Sequence, residues 1–214
     1  MECRESHKTN FMDKSTFLKS SPVVAIIRGV KPEEAIAVAE TMYEAGIRII
    51  EVPLNSPDPF TSIKNIVHAL GDKMTVGAGT VITKEQVQKL KEAGGEIVVS
   101  PNMNPEIIKE TKKLGMLSYP GVMTASECFA AIEAGADGLK LFPADVVGMG
   151  FIKAVKVVLP KNIPILAVGG VNENNIHEWL ANGADGFGLG SSIYKAEMSL
   201  EEISRRCQKI MNCF

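Results

Sequence analysis

The sequence predicts a single-domain α/β protein folded as a (β/α)8 barrel, and three features carry that prediction. Helical patterns repeatedly end in glycine and pass at once into a short apolar run. The repeat recurs at the length of one β-α unit. A chain of 214 residues has room for eight such units. The junctions are Glu44-Ala45-Gly46-Ile47, Glu92-Ala93-Gly94-Gly95, Lys113-Leu114-Gly115-Met116, Glu133-Ala134-Gly135-Ala136 and Ala181-Asn182-Gly183-Ala184. Glycine just past a helix end takes the left-handed cap conformation without a Cβ penalty, so each junction marks a passage from helix to strand.

Apolar strand candidates follow at 23–28, 47–52, 74–78, 96–100, 116–120, 137–142, 163–168 and 185–189. Amphipathic helical segments lie at 32–45, 58–70, 83–93, 104–114, 124–134, 149–158, 173–181 and 200–212. Pro32 and Pro105 suit first helical turns, and Thr83 with Gln86 and Thr124 with Glu127 have capping-box spacing. Strands apolar on both faces, alternating strictly with helices, belong to a parallel sheet covered by helices. The rival is an open doubly wound sheet, but the first turn, Arg28-Gly29-Val30-Lys31-Pro32, lacks the glycine fingerprint of dinucleotide binding. Residues 1–21 are expected to form a tail or leading helix, and 22–214 the barrel.

Composition narrows the partners. A formal charge of −2 with scattered basic residues offers no footprint for nucleic acid or an anionic membrane. No run approaches the roughly 20 apolar residues of a spanning helix, and Met1 to Ser21 has no apolar signal core, so a cytoplasmic protein is expected. Cys3, Cys128, Cys207 and Cys213 lack paired zinc spacing, and His7, His68 and His177 form no ligand pattern. The expectation is a small-molecule partner with neither metal nor cofactor.

Function in such a barrel sits at the C-terminal ends of the strands. Three charges interrupt apolar runs there: Arg28 after Val23–Ile27, Glu51 after Ile47–Ile50, and Lys140 between Leu139 and Leu141. Side chains alternate along a strand, so Glu51 shares a face with Ile49, and Lys140 with Gly138 and Phe142. Burying an ammonium is costly, and desolvation lowers its pKa toward the range of a free amine. A free amine attacks carbonyls to form an imine, and a carboxylate such as Glu51 can carry the protons the sequence of steps requires. A buried Lys-Glu ion pair is the bland alternative.

Val168-Gly169-Gly170-Val171 and Gly186-Phe187-Gly188-Leu189-Gly190-Ser191-Ser192 end the last two strands, where backbone N–H groups commonly hold a phosphate. Gly77-Ala78-Gly79-Thr80 could hold a carboxylate together with Arg28, whose guanidinium matches that anion bidentately. Ser100-Pro101-Asn102, Tyr119-Pro120-Gly121 and Phe142 shape the pocket walls, whereas Trp179 reads as core packing and Arg48 and Asp137, at strand starts, as structural.

Together Ile26-Ile27-Arg28-Gly29, Glu51-Val52-Pro53-Leu54-Asn55-Ser56, Gly77-Ala78-Gly79-Thr80-Val81, Ser100-Pro101-Asn102, Lys140-Leu141-Phe142-Pro143 and Val168-Gly169-Gly170 closely resemble the class I 2-keto-3-deoxy-6-phosphogluconate (KDPG) and 6-phosphogalactonate (KDPGal) aldolases. The resemblance runs from about Pro22 to Tyr194. It implies metal-free reversible cleavage of a phosphorylated 2-keto acid to pyruvate and glyceraldehyde 3-phosphate by a homotrimer. It also implies an imine-forming Lys140, Glu51 as general acid/base, Arg28 and Thr80 at the carboxylate, and Gly169, Gly170, Gly190 and Ser191 around the phosphate. Gluconate-type members usually carry Thr-Leu-Arg-Thr after the glutamate and a threonine before the glycine pair. Here Asn55 and Val168 stand in those segments, as in the galactonate type. An isomerase or synthase of phosphorylated metabolites on the same barrel, or a non-catalytic phosphosugar-binding protein, would use the same residues differently.

Overall fold

The computed structural model describes residues 21–214, so the expected N-terminal tail lies outside the described residues except for Ser21. The strands are β1 (Val23–Ile26), β2 (Ile49–Pro53), β3 (Thr75–Gly79), β4 (Ile97–Val99), β5 (Leu117–Tyr119), β6 (Gly121–Val122), β7 (Leu139–Leu141), β8 (Ile165–Val168) and β9 (Gly186–Leu189). Helices α1 (Ala35–Glu44), α2 (Pro59–Leu70), α3 (Lys84–Glu92), α4 (Pro105–Lys113), α5 (Ala125–Glu133), α6 (Ala144–Val147), α7 (Met149–Val155), α8 (Ile176–Ala181) and α9 (Leu200–Met211) alternate with them. The sheet is parallel, in the order β5-β4-β3-β2-β1-β9-β8-β7-β6.

Nine assigned strands make eight units because β5 and β6 are two halves of one strand. Pro120, which has no N–H for a ladder, separates them. Val99 pairs with Tyr119 on one side and Gly121 with Lys140 on the other. Across the gap Asp137 N–H donates to the Ser118 carbonyl at 3.0 Å and Lys140 N–H to the Pro120 carbonyl at 2.9 Å, so the barrel closes. The fifth strand thus runs to Val122, beyond the expected end at 120. The first is shorter than expected: it stops at Ile26, and Arg28 lies in the turn that follows.

The helix signals form as expected at three starts. Thr83 with Gln86 and Thr124 with Glu127 make complete capping boxes, and Pro105 is the first residue of α4 behind an Asn104 cap. At Pro32 a turn comes first, with the Lys31 carbonyl accepting from both Glu34 and Ala35 before α1 begins. The short α6 breaks from α7 at Gly148, whose φ of 87° interrupts the helical path.

Inside the barrel Val24, Ile49, Ile97, Val99, Tyr119, Leu166 and Val168 pack together, and a larger apolar layer separates the sheet from the helices. Glycine makes room for the bulkiest of them: a Cβ at Gly138 would stand 2.3 Å from the Tyr119 ring. Trp179 is buried in the outer layer, as expected. Two ion pairs close the opposite end from the mouth. Asp137, at the start of β7, accepts the Ser118 N–H at 2.9 Å and pairs with Lys112 at 2.5 Å. Asp185, before β9, does the same with the Ile165 N–H at 2.8 Å and Lys156 at 2.6 Å. Arg48 is structural too, donating to the carbonyls of Tyr43 and Ile47. No helix among the described residues is long and apolar enough to cross a membrane.

Candidate active site

Glu51 and Lys140 both point into the barrel near its mouth and are 2 % and 7 % exposed. Their inward aim follows from register: Glu51 lies two residues beyond the inward-facing Ile49, and Lys140 pairs with the inward-facing Leu166. β3 provides the space for the carboxylate, since a Cβ at Gly79 would stand 2.0 Å from Glu51 Oε2. That oxygen is enclosed without a hydrogen-bond partner among the described residues. The Lys140 ammonium stands 4.5 Å from the centre of the Phe142 ring, which covers it.

The two groups share one electrostatic problem. Burial pushes the Glu51 carboxyl up to about 7, against the opposing charges of Lys140 and Arg28 and the Gly79 amide. Burial also pushes the Lys140 amine below the usual lysine range; Glu51 opposes that shift and Arg28 adds to it. The result is an amine that loses its proton more readily beside a carboxyl able to trade protons near neutrality.

Beyond Phe142 opens a cleft of about 380 Å³. Its walls bring together Arg28, Phe142, Val168, Gly169, Gly170, Gly190 and Ser191. Gly169 and Gly170 have φ of 109° and 69°, a conformation that side chains rarely adopt, and a Cβ at Gly170 would collide with Asp145 at 2.6 Å. The pair therefore presents bare backbone to the cleft. Arg28 is held at the rim by a hydrogen bond from Nη1 to Asn55 Oδ1, while the Gly29 N–H donates to Ser56 Oγ at 2.9 Å. Asn55 thus acts first on Arg28. Thr80, at a φ of 60°, follows Gly79 beside Glu51 and is not among the residues lining this cleft. Pro120 contributes its carbonyl, which accepts from Lys140 N–H.

Sequence reasoning missed the groups that hold these loops. Asn175 Nδ2 donates to the Gly170 carbonyl at 2.9 Å, and Asn175 Oδ1 accepts from Asn172 N–H at 3.0 Å. The asparagine cluster of Val171-Asn172-Glu173-Asn174-Asn175 was the available signal, because such side chains fold back on nearby backbone.

A Gly79→Ala substitution is expected to displace the Glu51 carboxylate and lower kcat roughly a hundredfold, the scale of an ångström-sized misplacement. Steady-state kinetics alongside circular dichroism would check this, and an unaltered kcat in a folded variant would show that the carboxylate position is unimportant.

A parallel (β/α)8 barrel with a desolvated lysine and glutamate under a backbone-lined cleft defines the class of Schiff-base lyases. The comparisons agree. The family profile "Aldolase: KDPG and KHG aldolase" matches residues 15–210, and the chain belongs to this family of carbon-carbon lyases. A protein of Rhizobium meliloti (strain 1021) named "Probable 2-dehydro-3-deoxy-6-phosphogalactonate aldolase" is 48 % identical over 185 residues, covering 86 % of this chain and 87 % of that one. A solved structure described as "Native KDPGal structure" superposes with a TM-score of 0.88 at 43 % identity, over 90 % of this chain and 93 % of that one. A KDPG aldolase from Legionella pneumophila, captured with pyruvate as a covalent carbinolamine, aligns at 27 % identity with a TM-score of 0.84, covering 93 % and 98 % of the two chains.

Proposed function

We propose that this class I aldolase cleaves 2-keto-3-deoxy-6-phosphogalactonate reversibly to pyruvate and glyceraldehyde 3-phosphate, with Lys140 as the imine-forming amine. The observation that carries the reading is a desolvated amine and a carboxyl raised to about 7 inside the barrel, the amine covered by Phe142, which also lines a cleft walled in part by glycine backbone. The Lys140 amine adds to the C2 ketone, and the carbinolamine expels water to leave an iminium ion. Glu51 takes the proton of the C4 hydroxyl. The C3–C4 bond then breaks, its electron pair passes to the iminium as an enamine, and the aldehyde departs. Protonation of C3 by Glu51 gives the pyruvate imine, and water releases pyruvate and restores the amine. Arg28, with Thr80, takes the carboxylate; Gly169, Gly170, Gly190 and Ser191 cradle the phosphate through backbone N–H groups.

Borohydride reduction in the presence of pyruvate should leave a stable adduct on the Lys140 peptide, read by mass spectrometry. An unmodified peptide, under conditions that label a known class I aldolase, would overturn the reading.

The galactonate preference is supported by Asn55 and by Val168, whose apolar side chain lines the cleft where gluconate-type members usually carry a hydroxyl. Hydrogen bonding discriminates a sugar hydroxyl more sharply than apolar contact does. The protein is therefore expected to cleave the galactonate epimer faster, and Val168→Thr to shift the ratio of kcat/KM toward the gluconate epimer by about tenfold. Equal rates on the two epimers, or a gluconate preference, would refute the assignment. We also place the chain in a cytoplasmic homotrimer. Large apolar side chains exposed after β3, β6 and β7, namely Ile82, Met123 and Val146, support a self-contact.

A further inference from the structure

Each of the two loops at the phosphate end of the cleft has a carbonyl gripped by a side chain. Asn175 holds that of Gly170, and Arg206 Nη1, reaching from α9, donates to that of Ser191 at 3.4 Å. A trans peptide is planar, with its C=O and the following N–H pointing in opposite directions. Gripping the Ser191 carbonyl from the α9 side therefore aims the Ser192 N–H away from α9. Ser192 lines the substrate cleft and Arg206 does not. Arg206 instead lines an adjoining hollow of about 280 Å³ with Arg205 and Lys209, and Ser192 and Asn172 form the ridge shared by the two.

The guanidinium is itself braced. Its Nε donates to Glu202 Oε1 at 2.7 Å, one turn back along α9, and the Glu202 N–H is capped by Ser199 Oγ at 3.3 Å. Arg205 and Arg206 hold the Glu202 carboxyl down to about 2, so the brace stays ionised through neutral pH. Arg205 is a built-in control, because among the described residues its hydrogen bonds go only to Glu202.

We propose that Arg206 is a positioning residue for the phosphate of the substrate: from outside the cleft it fixes the Ser191–Ser192 peptide so that the Ser192 N–H completes the cradle. This rests on the phosphate assignment made above. An arginine that only stapled α9 to the barrel would alter stability without distinguishing phosphorylated from unphosphorylated ligands.

The test compares KM for the phosphorylated substrate with borohydride trapping of pyruvate on Lys140, which involves no phosphate. Losing a hydrogen bond that serves a charged ligand is expected to raise KM about tenfold in Arg206→Gln, with pyruvate trapping changed less than about twofold. Arg206→Lys should recover most of the KM, and Arg205→Gln should leave it within about twofold. An unchanged KM in Arg206→Gln, a parallel loss of trapping, or an equal effect of Arg205→Gln would each overturn the proposal. If Arg206→Gln does not fold, Glu202→Gln carries the test, since it frees Arg206 from its brace: KM should rise severalfold, and an unchanged KM overturns the proposal. Failure of wild-type protein to trap pyruvate would refute the aldolase assignment instead.

Discussion

A Lys140→Met variant is expected to lose cleavage by on the order of 10⁵-fold or more, the scale seen when a covalent nucleophile is removed, while remaining folded. The substitution keeps the apolar stem and deletes the amine. Phe142 above it and Leu139 and Leu141 beside it in β7 need no charge. Deleting the amine also removes the charge that most offsets the desolvation of Glu51, so the Glu51 carboxyl is pushed further up and is neutralised rather than left as an unpaired buried charge. An inactive protein that still unfolds cooperatively is therefore the expected pair of results, checked by kinetics and thermal denaturation together. Residual activity within about tenfold of wild type would mean that Lys140 is an electrostatic partner rather than a nucleophile. Arginine would be a poorer replacement, because its charge would persist in the same desolvated place.

Glu51→Gln is expected to lower kcat by about 10²–10⁴-fold, the range for a positioned general acid/base, and to change how stability depends on pH. The Glu51 carboxyl rises from 4.5 when unfolded to about 7 when folded. A raised folded-state pKa gives stability that is full below the unfolded value and is lost as the pH climbs toward the folded one. Two and a half pH units correspond to about 3 kcal/mol lost between pH 4.5 and 7. Glutamine does not ionise, so the variant should gain on wild type across that interval and hold the gain at pH 8. Loss of the Glu51 charge also leaves the Lys140 amine neutral over a wider range, consistent with the mutual influence of the two groups. A difference in Tm that stays constant from pH 4.5 to 8 would show that Glu51 titrates as an exposed carboxyl. A bell-shaped profile of kcat/KM in wild type, with its acidic limb near 7, is the kinetic counterpart.

The barrel was legible because its signals are local. A glycine after a helix and a threonine or proline at its start act within a few residues, and they place α3, α4 and α5 almost to the residue. Lys140 and Glu51 were legible for a different reason: a charge among apolar neighbours is improbable without a use. Strand ends were harder. Apolar character continues through Ile27 after β1 has ended, because that residue is still buried and its N–H still donates to the Glu51 carbonyl of β2 at 3.1 Å. Pro120 looked like a stop and is a break with the strand resuming beyond it, since Lys140 supplies the hydrogen bond that Pro120 can only accept. The least legible groups act across long separations. Asn55 reaching Arg28 spans 27 residues and Arg206 reaching Ser191 spans 15, and no periodicity in the chain encodes either.

The paired clamps Lys112–Asp137 and Lys156–Asp185 lie at strand beginnings, on the far side of the barrel from Lys140. One of them anchors β7, which carries Lys140, and the other anchors β9, which leads into the Gly190–Ser192 turn. Integrity and chemistry are thereby written into opposite ends of the same strands. The mouth is free to accept new side chains for new aldehydes while the base keeps the scaffold registered. A mutational library confined to the rim around Val168 and Asn55 would draw on that separation, whereas one that reached Asp137 or Asp185 would loosen the two strands on which any altered specificity depends.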